Sequence, residues 1–462
     1  MKLKLPIVPL PKQKLFFNCP ADNILFGGAK SGGKSYIAVA KAWQLAMLYP
    51  GIHIGLFRRS LTEIRESLLR YCFELFPKGS YHFTETKRTF TFFSTGSRIT
   101  LNFCENDKDL LNYEGWEFQV LIIDEAVRFT PYHLSKLGAA TRSGKVIGFK
   151  PKVYYLTNPL GIAAAYLKEK FITDKDPYKI YHVLEEFVLP DGKIIEIDRT
   201  YCYIPCNIYD NTYLINNNPE YLGQLQDLPE DEREALLHGM WDSKSFQFFN
   251  MFDKKTHVIE EYTPALSDTL FMSIDWGTSK PFAVCWYAQQ QSGRIIKYRE
   301  YYGIKGKVPD EGCNMVATDV ARNCLKFMKD TEHMQYCVLD NACWAQHGHG
   351  ITIFEMFHNV FKERKIPIIK CTKDIVNNLE LVKYYLSQKI EGIPLFTFTS
   401  SCKHSIRVYP GLVPSEKHDG CLETGSEDHL IDCDSYFLAS RPKPKLIDNY
   451  QETYGTMEYY KQ

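Results

Sequence analysis

The sequence predicts an α/β protein with two separate sheets, because two blocks of alternating strands and helices flank a stretch of different character. In residues 20–160, short apolar runs alternate with helical patterns, which is typical of a mainly parallel sheet with helices on both faces. Residues 205–265 are irregular and helical in pattern, and a second alternating block follows. The predicted domains are 1–204, a helical linker subdomain at 205–265, a third at 266–442 and a tail at 443–462.

The first block predicts the order of a parallel sheet with one antiparallel insertion. Residues 80–104 form β-prone runs around Thr95-Gly96, so we expect an added antiparallel hairpin there. The other apolar runs are separated by helical patterns, as crossover connections between parallel strands require. In chain order, the predicted elements are strand 24–26, helix 34–48, strand 52–57, helix 61–76, strands near 81–83, 89–93 and 98–103, strand 119–123, a helix near 131–141 and strand 153–156.

The second block predicts a different sheet. Three strands come first with no helix between them, so we expect them to be antiparallel, and a helix–strand–helix–strand series follows. This succession is typical of the ribonuclease-H-like fold. In chain order, the predicted elements are strands near 270–275, 281–288 and 294–303, helix 310–329, strand 336–340, helix 350–364, strand 366–370, helix 374–389, strand 394–398 and helices near 401–408 and 427–440.

Composition narrows the class of protein. The chain has 462 residues, of which 45% are hydrophobic, so large buried cores are expected and disorder is not. The formal net charge is zero, so any binding to nucleic acid would depend on local basic patches. The 14 cysteines contain no CxxC pair and are expected to be reduced thiols. No apolar run approaches the roughly 20 residues of a membrane span, and prolines interrupt the start, so we expect a soluble, non-secreted protein.

Residues 28–35 read Gly-Ala-Lys-Ser-Gly-Gly-Lys-Ser and match the phosphate-binding pattern GxxxxGKS, the Walker A element or P-loop. Glycines are needed because the backbone N–H groups must turn inward around the phosphates. Lys34 would reach the β and γ phosphates, and Ser35 would offer its hydroxyl to Mg²⁺. The residues expected to bind ATP in this loop are Gly28, Lys30, Ser31, Gly32, Gly33, Lys34 and Ser35.

A Walker B element follows in the fully apolar run 120–123, which ends in Asp124 and Glu125. The carboxyl end of a buried parallel strand is where ligands bind in open α/β sheets. Asp124 would hold Mg²⁺ through water, and Glu125 would orient and polarise the attacking water, as in P-loop ATPases with an additional catalytic glutamate (ASCE-type). We therefore predict that the chain hydrolyses a nucleoside triphosphate.

Two further positions are candidates for the same site. Thr157 and Asn158 end the strand 153–156, where they would lie beside the γ-phosphate as a sensor or simply form a turn. Gln13, upstream of the P-loop, has an amide that would read adenine or stay exposed in a loop.

Aspartates mark a second site in the later block. Asp275 and Asp340 each end a hydrophobic strand, while Asp428 and Asp432 lie one helical turn apart on one face. Converging carboxylates repel each other unless a hard cation neutralises them, and such oxygen ligands suit Mg²⁺ or Mn²⁺. The predicted chemistry is two-metal phosphodiester cleavage, although each aspartate taken alone could be an ordinary solvated side chain. His429 is either a neighbour of these ligands or a structural helix histidine, and His347-Gly-His349 lacks the further ligands of a zinc site.

The order of these motifs resembles the large terminase subunit of tailed bacteriophages over nearly the whole chain. The resemblance rests on the P-loop, on Leu-Ile-Ile-Asp-Glu-Ala at 121–126, Leu-Thr-Asn-Pro at 156–159, Leu-Leu-His-Gly-Met-Trp at 236–241, and Asp-His-Leu-Ile-Asp at 428–432. It implies a motor that packages double-stranded DNA into a procapsid through a portal protein, with a small terminase subunit as partner. It also implies a pentameric ring when the motor is assembled, with a monomer as the state in solution. The implied location is the host cytoplasm.

The resemblance also implies roles for single residues. Gln13 would contact adenine, Lys30 would be the basic residue inside the P-loop, and Thr157-Asn158 would couple hydrolysis to DNA movement. The metal ligands of the nuclease would be Asp275, Asp340, Asp428 and the assisting Asp432.

One position departs from this family. Many members carry a basic residue before a glycine upstream of Walker B, and this chain has Glu114-Gly115 there, which leaves the arginine finger to Lys30, Arg128 or Arg142. Two other functions stay open, a DNA helicase or repair ATPase with a vestigial nuclease and a capsid-associated scaffold without catalysis. The intact catalytic positions argue against the scaffold.

Overall fold

The structure is a computed structural model that describes residues 7–443 except 143–145, 147, 242–245, 307, 347–349, 373 and 416. His347, His349 and the predicted tail from residue 444 onward lie outside the described residues. The chain divides into two compact units, Met1–Gln247 and Phe248–Gln462. Each unit is built around one large sheet, and the predicted α/β class is confirmed.

The sheet of the first unit contains nine strands in the described part of the chain. They are β1 (Asn23–Gly28), β2 (His53–Arg58), β3 (Tyr81–Thr84), β4 (Thr89–Phe92), β5 (Arg98–Phe103), β6 (Val120–Asp124), β7 (Lys152–Thr157), β8 (Ile180–Val188) and β9 (Ile194–Cys206). Their order across the sheet is β3-β4-β5-β2-β6-β7-β1-β9-β8. The six strands from β5 to β9 in this order are parallel, and β3, β4 and β8 are antiparallel additions at the two edges.

Helices cover both faces of this sheet. They are Pro11–Asn18, Lys34–Leu48, a continuous run of Leu61–Glu63, Ile64–Leu69 (π) and Arg70–Leu75, then Asp107–Leu111, Ala126–Arg128 (3₁₀), Pro131–Ala139, Ala164–Phe171, Ile208–Asp210 (3₁₀), Thr212–Asn217, Glu220–Gln226, Glu230–Arg233 and Glu234–His238 (π). Successive residues of β6 enter two different hydrophobic clusters, Val120 and Ile122 in one and Leu121 and Ile123 in the other. Because side chains alternate along a strand, this division shows that the sheet is buried on both faces.

The two edges of the sheet differ from the sequence-based picture. The hairpin predicted at 80–104 is antiparallel in β3 and β4, but β5 also pairs in parallel with β2 and so belongs to the central sheet. Strands β8 and β9 were not among the predicted elements, and β9 lies directly beside β1. The hairpin that they form is largely exposed, with apolar side chains such as Leu184 and Val188 in contact with solvent.

The second unit contains a seven-stranded sheet in the part that the structure describes. Its strands are β10 (Val258–Ile259), β11 (Thr269–Asp275), β12 (Ala283–Gln289), β13 (Ile295–Tyr302), β14 (Met334–Leu339), β15 (Ile368–Lys370) and β18 (Phe396–Thr399), and a separate pair is formed by β16 (Lys389–Ile390) and β17 (Ile393–Pro394). The order is β10-β18-β13-β12-β11-β14-β15. Strands β11 to β13 are antiparallel, while β14 and β15 continue the sheet in parallel, as the ribonuclease-H-like succession predicts.

The helices of the second unit include the predicted series, with one different start, and the short turns Asn341–Trp344 and Tyr409–Gly411, which were not predicted. They are Lys254–His257, Ala317–Phe327, Asn341–Trp344 (3₁₀), Ile353–Phe361, Lys362–Arg364 (3₁₀), Ile375–Ser387, Lys403–Val408, Tyr409–Gly411 (3₁₀) and His429–Ala439. The helix predicted from residue 310 begins at Ala317, because Asp310 and Asn314 adopt positive φ angles of 57° that a helix does not contain. Within the described residues, each helix is too short or too polar to cross a membrane.

Candidate nucleotide and metal sites

The P-loop connects β1 to the helix Lys34–Leu48, which is the strand–loop–helix setting that its sequence requires. Gly28 has a φ of 135°, and a Cβ atom there would collide with the Cys206 carbonyl oxygen. Gly33 has a φ of 70°, and a Cβ atom there would meet the Gln13 amide at 2.6 Å. Both glycines are therefore needed for this loop to adopt its conformation beside its neighbours.

Ser35 and Asp124, which come from the Walker A and B elements, are in direct contact. The Ser35 hydroxyl donates a hydrogen bond of 3.0 Å to Asp124 Oδ1. The other oxygen, Asp124 Oδ2, is buried and has no hydrogen-bond partner among the described residues. Mg²⁺ prefers oxygen ligands. The Ser35 hydroxyl and the two Asp124 oxygens, one of which accepts no hydrogen bond from the described residues, are a donor set of this kind. Lys34 donates to the carbonyl oxygen of Ala29, so its ammonium stays at the loop.

Asp124 and Glu125 form a crowded acidic pair at the end of β6. Burial, and then repulsion from Glu125, raise the pKa of Asp124 to about 6, while nearby Arg58 opposes this rise. Glu125 adopts a left-handed backbone with a φ of 53°, and its side chain is 29% exposed. The pair thus divides into a buried carboxylate suited to a cation and a carboxylate that solvent reaches.

Arg58 is the cation that the structure places beside this pair, at the end of the neighbouring strand β2. Its Nε lies 3.5 Å from Asp124 Oδ2, and its Nη2 lies 3.6 Å from Glu125 Oε1. It also donates to the hydroxyl of Ser67. The local sequence does not mark Arg58 as part of this site, because the pairing of β2 with β6 that gives it this place is a long-range feature.

The other predicted ATP-binding residues have different surroundings. Gln13 is only 7% exposed, so it is not a residue of an exposed loop. Its amide oxygen accepts from the Leu10 N–H at 2.9 Å and its amide nitrogen donates to Gly33 O at 3.4 Å. Thr157 is buried, and its hydroxyl accepts from the Val127 N–H at 3.2 Å. This bond connects the end of β7 to the turn after Glu125, and the neighbouring Asn158 is half-buried.

A segment that follows β9 supports the P-loop from outside. The Lys30 N–H donates to Leu236 O at 2.9 Å, and the Asn211 amide donates to Ser31 O at 2.7 Å. Gly239 lies so close that a Cβ atom there would come within 2.5 Å of Gly28 Cα. The residues of this segment fall in the predicted linker, so the distinctive Leu-Leu-His-Gly-Met-Trp sequence packs on the phosphate-binding loop itself. The Lys30 side chain is exposed.

In the second unit, the predicted aspartates meet at one edge of the sheet. Asp275 is the last residue of β11, Asp340 follows the parallel strand β14, and Asp428 precedes the helix His429–Ala439, whose first turn contains Asp432. Their electrostatic coupling is visible in their pKa values. Burial, and then repulsion from Asp275, raise the pKa of Asp340.

Asp428 and Asp432, at the start of the helix His429–Ala439, also have raised pKa values. Burial raises the pKa of Asp428 to about 6, and repulsion from Asp275 adds to the rise while His429 opposes it. Burial and repulsion from Asp428 raise the pKa of Asp432 well above its ordinary value. Burial, the largest cause at both residues, together with repulsion between the aspartates therefore outweighs the attraction of His429.

His429 and Asp310 complete the cluster. His429 Nδ1 lies 2.9 Å from Asp275 Oδ2, and its Nε2 lies 3.1 Å from Asp310 Oδ1. Burial opposes the charged imidazole, but the hydrogen bonds to Asp275 and Asp310 raise the pKa of His429 to about 11. Lys280 pairs with the other oxygen of Asp310. Sequence reasoning missed Asp310, because a single aspartate in a Pro-Asp-Glu-Gly turn carries no sign of a distant partner.

The donor chemistry of this cluster fits a hard divalent cation. Five carboxylates, those of Asp275, Asp310, Asp340, Asp428 and Asp432, face the cations of His429 and Lys280. In the described part of the chain, no group of three or more His, Cys, Asp or Glu side chains has the arrangement of a metal site. Asp275 instead accepts a hydrogen bond from the imidazolium of His429. The carboxylate oxygens of the cluster are of the donor type that hard divalent cations prefer.

A buried ionic network anchors the helix that carries Asp428 and Asp432. Asp434 is fully buried on this helix and lies 3.0 Å from Lys297 Nζ, which is also fully buried. The hydroxyls of Tyr287 and Tyr409 donate to the two Asp434 oxygens at 2.8 Å each. Because both carboxylate oxygens accept hydrogen bonds, the network holds the helix against the sheet in one position.

Comparison with known proteins gives likeness at the level of structure. The chain matches no protein-family model and no curated protein sequence. It is similar to the large terminase of a thermophilic bacteriophage, at 17% identity over 94% of this chain and 99% of that one, with a TM-score of 0.40. It is also similar to the HK97 bacteriophage large terminase, at 12% identity over 95% of each chain and a TM-score of 0.49. The P22 large terminase nuclease domain matches 43% of this chain at 12% identity, with a TM-score of 0.33.

Proposed function

We propose that this chain is the large terminase subunit of a tailed bacteriophage, an ATP-driven motor that moves double-stranded DNA through the portal into a procapsid and cuts concatemeric DNA. The observation that carries the proposal is the occurrence in one chain of two separate sites. One is the contact of Ser35 with Asp124 at a P-loop, and the other is the crowded aspartate cluster around Asp275. The first suits phosphoanhydride hydrolysis and the second suits phosphodiester cleavage.

In the first unit, each residue has a task that its surroundings support. Ser35 and Asp124 would hold Mg²⁺, which neutralises phosphate charge when bound. Lys34 exchanges the Ala29 carbonyl for a phosphate oxygen. Glu125 is accessible to solvent, so it can orient the attacking water and accept its proton. The bond between Thr157 and the Val127 N–H connects the neighbouring strand to this acidic pair.

In the second unit, Asp275, Asp340, Asp428 and Asp432 would hold Mg²⁺ or Mn²⁺. Such ions activate water and stabilise the leaving oxygen of a phosphodiester when bound. Before a metal ion binds, His429 would hold Asp275 in place through a hydrogen bond and supply positive charge. The raised pKa values of Asp428 and Asp432, caused first by burial and then by neighbouring carboxylates, support this assignment, since perturbed carboxylates cluster at functional sites.

Among the arginine candidates for the finger, we favour Arg142 acting on a neighbouring copy in a ring, and Lys30, which is also exposed, stays a candidate. Arg128 is paired with Glu63, and Arg58 lies against the acidic pair of its own chain. Arg142 is exposed and its N–H donates to Phe118 O, just before the start of β6. The length of β6, about 3.3 Å per residue, separates it from Asp124 in the same unit. It can therefore reach a P-loop only in another copy.

Two substitutions test the two activities separately. Glu125→Gln should lower ATP turnover by about 100-fold or more while nucleotide binding is kept, because it removes a proton acceptor and little volume. Asp275→Asn should abolish Mn²⁺-dependent cleavage of DNA while ATP turnover is kept. Each variant is the folding control for the other. Wild-type turnover in the first, or undiminished cutting in the second, would remove the corresponding assignment.

Packaging itself is tested by protection of DNA from nuclease inside purified procapsids carrying their portal. The wild-type chain with ATP should protect DNA of genome length, and Glu125→Gln should not. Separation of duplex strands without protection would instead support the helicase alternative.

A further inference from the structure

An aromatic stack with a neighbouring lysine lies beside the aspartate cluster of the second unit. The Trp344 ring stacks on Phe354 with centroids 4.8 Å apart and planes 18° apart, and Phe354 stacks in turn on His358 at 5.5 Å. The ammonium of Lys370 lies 5.0 Å from the centre of the Trp344 ring. Trp344 and Phe354 are half-buried, whereas His358 and Lys370 are exposed.

The backbone ties this stack to a proposed metal ligand. Asp340 caps the 3₁₀ turn Asn341–Trp344, so Trp344 is four residues from it within one short rigid element. Lys370 is the register partner of Leu339, the residue before Asp340. The Asn341 amide also donates to Cys371 O at 2.9 Å, which joins the two strand ends. Ring, ammonium and carboxylate therefore share one edge of the sheet.

The chemistry of the stack points to nucleic acid. Among the residues that the structure describes, no carboxylate forms an ion pair with Lys370, so its charge is available to a phosphate. Each nucleobase has a π face that stacks on an aromatic ring whatever its sequence, and such stacking is the usual basis of binding to single strands. A fully paired duplex keeps its bases stacked on each other and offers none to the ring.

We infer that Trp344 and Lys370 form a binding site for an unpaired DNA nucleotide beside the cleaved phosphate, which rests on the nuclease activity proposed above. A base would displace the flexible lysine stem from the ring, and the ammonium would move to the adjacent phosphate. The site would favour DNA with locally opened strands, such as frayed ends and mispaired stretches, over intact duplex.

The test measures binding of the full chain to fluorescently labelled DNA in EDTA, so that cleavage plays no part. Trp344→Ala should weaken binding of a short single-stranded oligonucleotide about tenfold and leave binding of the matching duplex nearly unchanged. Trp344→Phe keeps a ring and should restore most of the loss. Lys370→Ala should lower the salt dependence of binding by about one counterion, and the exposed Lys389→Ala serves as the matched charge control.

Two results would overturn the inference. One is unchanged single-strand binding in both Trp344→Ala and Lys370→Ala, and the other is an equal loss for single-stranded and duplex DNA. If Trp344→Ala folds poorly, Lys370→Ala decides the question, because Lys370 is exposed, and unchanged single-strand binding in that variant alone then overturns the inference. A chain that binds no DNA at all would contradict the proposed function. A chain that binds and cuts duplex DNA, but whose binding of single strands does not depend on Trp344 or Lys370, would contradict only the present inference.

Discussion

Replacing Asp124 by asparagine should stabilise the first unit while it abolishes ATP turnover. The carboxylate is 2% exposed, lies beside Glu125 and has one oxygen without a hydrogen-bond partner among the described residues. In the absence of a metal ion, the folded protein therefore holds a charge that water would solvate better. Asparagine has the same shape, can still accept from Ser35 and carries no charge.

The pKa gives the size of the effect. Burial and Glu125 raise the pKa of Asp124 from its ordinary 3.8 to about 6. The unfolded chain therefore releases this proton at lower pH than the folded chain, and stability falls as pH rises between these two values. By linkage, the charge costs the folded state about 3 kcal/mol near pH 7.5 and about 1 kcal/mol near pH 4.5. Removing the charge should therefore raise the free energy of unfolding by about 3 kcal/mol near pH 7.5 and by about 1 kcal/mol near pH 4.5.

The assay is denaturant unfolding of wild type and Asp124→Asn in EDTA without nucleotide, at both pH values. The transition of the first unit is identified in wild type as the one that ADP with Mg²⁺ shifts. The same variant should bind Mg²⁺-nucleotide poorly and turn over no ATP. A variant less stable than wild type near pH 7.5, or one with an equal gain at both pH values, would refute the electrostatic reasoning.

Three other substitutions follow from single contacts. Lys297→Met should destabilise the second unit by about 3–5 kcal/mol, because it leaves a fully buried carboxylate without its cation, and a loss below about 1 kcal/mol in denaturant unfolding would contradict the ion pair. Gly239→Ala should reduce nucleotide affinity at least about tenfold, since the new methyl group would push against Gly28. Gly223→Ala, in open space, is its control. Gln13→Ala should weaken ATP and GTP binding equally if its amide only supports the loop, whereas a loss confined to ATP would make it the reader of adenine.

The elements that sequence alone could predict are those whose pattern is local. The apolar runs that became β1, β2, β6 and β7 are buried on both faces, so they read as continuous hydrophobic stretches bounded by turns. Their carboxyl ends share one sheet edge, and for this reason Ser35 and Asp124 could be expected to meet. Asp275 and Asp340 could be expected to meet for the same reason, because they follow the neighbouring parallel strands β11 and β14.

The elements that escaped prediction depend on distant partners. In the β8–β9 hairpin, Val183 and Phe187 lie on one face and Leu184 and Val188 on the other, all exposed. Without a polar and an apolar face, the hairpin lacks the alternation by which strands are recognised. Arg58 and Asp310 are ordinary residues in sequence, and they become part of the sites only through the pairing of β2 with β6 and through the imidazole of His429.

The two sites share an electrostatic design that the motifs do not reveal. Each one contains a buried carboxylate with a raised pKa, and each contains a resident cation from another segment, Arg58 in the first and His429 in the second. Burial, with a smaller contribution from neighbouring carboxylates, raises the pKa of Asp124 and of Asp428 to about 6. At a pH below about 6, a divalent cation entering either site would therefore displace protons. Below that pKa protons would compete with the metal, so we expect the metal affinity of both proposed sites to increase as pH rises toward neutrality.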